Sequence, residues 1–115
     1  LRSGRHVRIE LDGRLLAETN HPLLLFETLL PVRFYLPRDA VVVPLEHSDT
    51  VTYCAYKGRA SYYSMPDGPR DIAWVYHEPL HDAEQVRDRI CFFDERVDLI
   101  VDGVPRDRPT TPWSN

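Results

Sequence analysis

A chain of 115 residues with 43% hydrophobic side chains has material for one continuous core, so a single domain over residues 1–115 is expected, its body at about 7–103 and a proline-rich tail at 104–115. The net charge of −4 and the scatter of arginines among nearby acids leave no concentrated basic face, which argues against nucleic acid as a partner. No apolar run approaches the roughly 20 residues that cross a bilayer, no secretory leader is legible at the start, and Cys54 and Cys91 stand too far apart for a disulfide framework, so the expectation is a cytoplasmic protein with reduced thiols and no membrane partner.

Ten prolines divide the chain into short segments and leave little room for long helices. Residues 7–11 (VRIEL) alternate apolar and polar, meet Asp12-Gly13 and continue in a second run at 14–18, which predicts a β-hairpin. The apolar run 23–30 (LLLFETLL) fits a buried strand or a short helix, and Pro22 and Pro31 favour a short extended segment. Residues 32–36 (VRFYL) alternate again and stop at a turn over 37–40, with strand pieces expected at 41–43 and 45–47. Residues 51–56 and 59–63 are β-branched and aromatic, with Lys57-Gly58 between them, and form a second hairpin candidate. Pro66-Asp67-Gly68-Pro69 is a loop, and 72–76 a strand. The helix candidate is 83–89, with Asp82 as cap and Gln85 in capping-box position. Strands at 91–93 and 97–101 follow, and the tail is expected to be extended or loosely docked. These elements predict an all-β fold, a compact sandwich or barrel of about eight or nine short strands with one short helix.

The residues with chemical potential gather around 50–64. Strand alternation about Gly58 places Thr52, Cys54 and Tyr56 on one face near Ala60, Tyr62 and Ser64, with Tyr53, Lys57 and Tyr63 on the other; a Lys57-Gly58 two-residue turn shifts that register by one. Tyrosines offer apolar walls with polar tips, a common pocket lining, although tyrosine-rich strands also fill ordinary β cores. Cys54 is a nucleophile only as a thiolate and otherwise packs as a small hydrophobe. Lys57 is the sole lysine beside 13 arginines, which suggests a position needing a compact amine, although a lysine at a turn is commonly a solvated charge. Glu27 sits among apolar neighbours, where a carboxylate must be paired or its pKa rises; a salt bridge to Arg33 or Arg38, or simple exposure on a strand face, is the structural reading. Trp74 and Tyr76 share a strand face, as core or as pocket wall. The five histidines form no ligand motif and there is no C-x-x-C pair, so no metal and no cofactor is expected; a Cys54/His47 nucleophile–base pair has no specific support.

The order F-E-T-x-x-P, F-Y-L-P-R-D, T-Y-C-x-Y-K-G-x-A-S-Y-Y, A-W-x-Y, F-F-x-x-R-V-D and V-D-G resembles the bacterial and fungal family named domain of unknown function 427, from about Val7 to Gly103. The resemblance implies a β-tent fold, shared with methionine sulfoxide reductase B and the ligand-binding domain of cereblon. Some relatives on that fold carry zinc through paired cysteines, which this chain lacks. Ala55 stands where the family usually has proline. A nucleotidyltransferase label is attached to some members, but no G-S motif with paired metal-binding aspartates occurs here.

The leading functional expectation is a small-molecule-binding domain with an aromatic-lined cleft, its catalytic capacity left open. Tyr35, Arg38, Thr52, Tyr62, Trp74 and Tyr76 are the candidate ligand-binding residues, and Arg38 and Lys57 suit an anionic group. The alternative is a cofactor-independent enzyme with Glu27 as acid/base and Lys57 or Cys54 as nucleophile or electrostatic stabiliser. A third reading is a protein-interaction module.

Overall fold

The computed structural model describes residues 5–27 and 30–114. Its strands are β1 (Val7–Leu11), β2 (Arg14–Thr19), β3 (Leu23–Leu25), β4 (Arg33–Leu36), β5 (Glu46–Cys54), β6 (Gly58–Ser64), β7 (Ala73–Val75), β8 (Ile90–Phe92), β9 (Asp98–Val101) and β10 (Val104–Pro105). They form two open antiparallel sheets, a smaller one in the order β10-β9-β1-β2 and a larger one in the order β3-β4-β8-β7-β6-β5. The chain is therefore all-β, in its sandwich rather than its barrel form. Among the described residues no helix is long and apolar enough to cross a membrane.

Turn chemistry sets the smaller sheet. Asp12 and Gly13 have φ of 51° and 81°, and Asp102 and Gly103 repeat the pattern at 52° and 80°. Positive φ at both positions matches the twist of the flanking strands, which is why Asp-Gly closes tight hairpins. Val7, Ile9, Leu16, Leu99 and Val101 then point from this sheet onto the larger one.

On the larger sheet the period of two divides every central strand between two environments. Phe34 and Leu36, Ala73 and Val75, and Ile90 and Phe92 enter the core between the sheets. Apart from the small Ala73, each of these buried side chains contributes about 1.5–3 kcal/mol relative to exposure. The intervening residues face outward, and the register runs Leu23, Tyr35, Cys91, Trp74, Tyr62 across five neighbouring strands. Among the described residues no second sheet covers that outer face. Part of it packs against a 3-10 segment, His81–Val86, through Ala83 and Val86.

Several expectations need correction. The helical segment is 3-10 rather than α and starts earlier than 83; Leu80 occupies the cap position and no side chain caps it, so neither Asp82 nor Gln85 forms a capping box. The reason is anchoring: Leu80 N–H donates to the Lys57 carbonyl and Ala83 N–H to the Leu80 carbonyl, a three-residue spacing that puts Ala83 and Val86 on one buried side. Residues 41–43 make only a single bridge, Val41 to Ala17, and the strand begins at Glu46. The second hairpin has a three-residue loop, 55–57, because Cys54 pairs with Gly58. In the 23–30 run the extended reading holds at Leu23–Leu25, while Thr28 and Leu29 lie outside the described residues. Of the two forms expected for the tail, the docked one is found: Arg108 bonds Asp98, and Thr111 donates its hydroxyl to Glu95 at 2.6 Å.

Candidate functional site

The uncovered face of the larger sheet forms a cleft of about 830 Å3. Its floor comes from strand alternation: Arg33 and Tyr35 from β4, Thr52 and Cys54 from β5, Tyr62 from β6, Trp74 from β7, and Tyr76 and Phe93 just beyond strand ends. Phe26, Leu30, Tyr53, Tyr56 and Trp113 line its mouth and are all exposed. The floor aromatics pack on one another. Trp74 meets Phe93 at 4.5 Å between centroids, Tyr62 stacks on Phe93, and Tyr35 meets Trp74 edge to face.

Two ion pairs stand in this cleft. Lys57 donates to Glu27 at 2.5 Å, with the Lys57 side chain only 13% exposed. The two residues that look out of place in the sequence therefore account for each other, and neither Arg33 nor Arg38 is the partner of Glu27. Lys57 reaches the cleft because it lies in the 55–57 loop, where strand alternation does not apply. That loop is fixed by Gly58, whose φ of 104° is a conformation that L side chains rarely adopt.

The second pair is Arg33 with Glu95, a bidentate contact at 2.7 and 2.9 Å between side chains that are 6% and 0% exposed. Burial alone would raise the Glu95 carboxyl, but hydrogen bonds from Arg33 and Thr111 more than offset it and hold it below its ordinary value. The Arg33 guanidinium also lies 5.2 Å from the Trp74 ring centroid and 5.9 Å from those of Phe93 and Trp113. An aromatic enclosure thus already contains a cation.

The hydroxyls divide into those with a protein partner and those open to the cleft. Tyr62 bonds Thr52 at 2.9 Å, and Tyr35 accepts the Trp74 indole N–H at 3.1 Å. Burial pushes the Tyr35 phenol far up, with the neighbouring Cys91 adding to the effect. Tyr76 is 6% exposed, and its hydroxyl has no hydrogen-bond partner among the described residues. Burial raises its phenol as well, reinforced by Cys54, Tyr62 and Glu27.

Of the residues expected to form a site, Glu27, Tyr35, Thr52, Cys54, Lys57, Tyr62, Trp74 and Tyr76 line one cleft, and Arg38 does not. Arg38 follows Pro37 in a 3-10 turn beyond the end of β4, and its guanidinium lies 4.9 Å from the Tyr63 ring on the opposite side of the sheet. His47 also packs on Tyr63, so it is not paired with Cys54. Arg33, Phe93 and Trp113 belong to the cleft and were not among the expected site residues, Arg33 having been named only as a candidate partner of Glu27. For Arg33 the signal was available: it shares β4 alternation with Tyr35. For Trp113 no local pattern exists, since only docking of the tail brings it there. Among the described residues no group of three or more His, Cys, Asp or Glu is arranged to hold a metal ion.

No curated protein matches the chain. Residues 1–103 match the family described as Domain of unknown function (DUF427), and the chain belongs to that family. The matched segment ends before Thr111 and Trp113, so the tail contribution to the cleft lies outside it.

Proposed function

We propose that this member of the family is a small-molecule-binding protein and that the cleft on the larger sheet is its ligand site. The observation that carries this reading is the outer stripe of that sheet. Tyr35, Trp74 and Tyr76 are buried with Ala83, Val86 and Phe93 in a second apolar cluster, yet together with Tyr62 they still floor a concave space of about 830 Å3 that no second sheet fills among the described residues. Concave, mostly apolar sites with a few converging polar groups are the usual form of small-molecule pockets.

Cys54 makes a direct test available. It is half-buried in the cleft, whereas Cys91 is fully buried, so alkylation of the native protein reports on Cys54. A ligand seated in the cleft slows that alkylation, and native mass spectrometry of freshly purified protein detects what is bound. If fractionated small-molecule extracts neither protect Cys54 nor shift the mass, the proposal fails.

A catalytic version has one observation in its favour, the placement of Glu27, Lys57 and Cys54 on a single cleft. In it Glu27 moves protons, and Lys57 acts as a charged stabiliser rather than as a nucleophile, because its amine is held by Glu27. Turnover that survives Glu27→Gln unchanged excludes this version.

A further inference from the structure

We infer that the cleft takes an uncharged, planar molecule and holds it through a hydrogen-bond acceptor, such as a carbonyl oxygen, set against the hydroxyl of Tyr76. This rests on the cleft being a ligand site.

Charge is the first argument. Each cation of the cleft is already committed to a carboxylate: Lys57 to Glu27, and Arg33 to Glu95 through both of its terminal nitrogens. An anion approaching Lys57 meets Glu27 at the same place. An anion approaching Arg33 must displace Glu95, whose side chain is completely buried and also accepts from Thr111. Breaking such a pair leaves a buried charge uncompensated, which is strongly unfavourable. A cationic ligand does no better, since the aromatic enclosure built by Trp74, Phe93 and Trp113 holds Arg33 itself. The expectation from sequence that an arginine and the lysine would greet an anionic group therefore gives way to a neutral ligand.

The second argument is the unpartnered hydroxyl. Tyr35, Tyr62 and Tyr63 each have a hydrogen-bond partner, in Trp74, Thr52 and His77 respectively. Tyr76 has none among the described residues, although it is more than nine-tenths buried and lines the cleft. Its oxygen keeps contact with the open cleft, so an acceptor seated there takes the place of water as its partner. Because burial keeps this phenol protonated, it donates. The walls decide the rest of the shape: Trp74 and Tyr62, both packed on Phe93, give flat surfaces that favour a planar guest.

Four small probes of similar size test the assignment on the full chain: benzamide, benzoate, benzylamine and toluene. Binding is followed by ligand-detected NMR and by protection of Cys54 from alkylation. Benzamide is expected to bind more tightly than benzoate or benzylamine. Tyr76→Phe is expected to weaken benzamide by about tenfold, the size of one lost hydrogen bond, while toluene binding and the thermal midpoint stay as in the native protein. Benzoate or benzylamine binding as tightly as benzamide, or Tyr76→Phe leaving benzamide unaffected, overturns the assignment while the cleft stands as a ligand site. Failure of all four probes to bind or to protect Cys54 overturns both.

Discussion

Arg33 and Glu95 meet where β4 and the turn after β8 come together, and neither side chain reaches solvent to any useful extent. Removing one partner of a buried pair costs about 3–5 kcal/mol, so Glu95→Ala is expected to lower stability by that amount in urea titrations. Lys57→Met, at a pair that retains solvent contact, should cost much less. Tyr35→Phe deletes the acceptor of the buried Trp74 indole N–H and is expected to cost about 1–3 kcal/mol, whereas Tyr76→Phe removes a hydroxyl with no partner among the described residues. Asp94 has the opposite character from its neighbour Glu95. Burial raises its carboxyl from 3.8 to about 7, although Arg33 and Arg106 pull it down. A folded-state value above the unfolded one means that the folded state holds the proton more tightly. The resulting stability is full below about pH 4 and is lost as pH rises through about 7. Asp94→Asn should therefore raise the urea midpoint at pH 8 more than at pH 5. Equal effects at both values would show that Asp94 does not titrate in this window.

At the level of elements, legibility followed the range of the interactions that decide each one. The hairpin of β1 and β2 was readable because Asp12-Gly13 settles it locally. The Glu27 to Lys57 contact was half readable: each residue was anomalous in its own segment, but their partnership depends on the 55–57 loop and on its anchor to the chain near Leu80. The supposed helix at 83–89 failed for the same reason, since a capping pattern is a local signal and the bond from Leu80 to Lys57 overrides it. Docking of the tail was one of two forms the sequence left open, but its contacts with Asp98 and Glu95 were not readable. Gly58 is the junction of these long-range effects. Gly58→Ala forces an L-residue into positive φ, at a cost of about 1–3 kcal/mol, and should also loosen Lys57 from the cleft. Thermal melts combined with Cys54 alkylation rates separate the two effects: a lower midpoint reports strain, and faster alkylation reports an opened loop.

Across the whole molecule, the larger sheet is most deeply buried at its centre. Every residue of β7 and β8 is buried, while β5, at one edge, is largely exposed. Hydrogen exchange is expected to be slowest at 73–75 and 90–92 and fastest along β5 and β10. Comparable rates in β5 and β7 would contradict this gradient of stability. The two faces of β7 also hold separate responsibilities, with Ala73 and Val75 in the core and Trp74 in the cleft. That interleaving has a consequence for how the family can diversify. Point changes on one parity of the strand can alter what is recognised without disturbing what keeps the chain folded. A single inserted or deleted residue exchanges the two sets at once and sends Trp74 into the interior. Length variation should consequently be confined to segments such as the Pro66–Pro69 loop, while novelty in recognition arises by substitution at alternate positions.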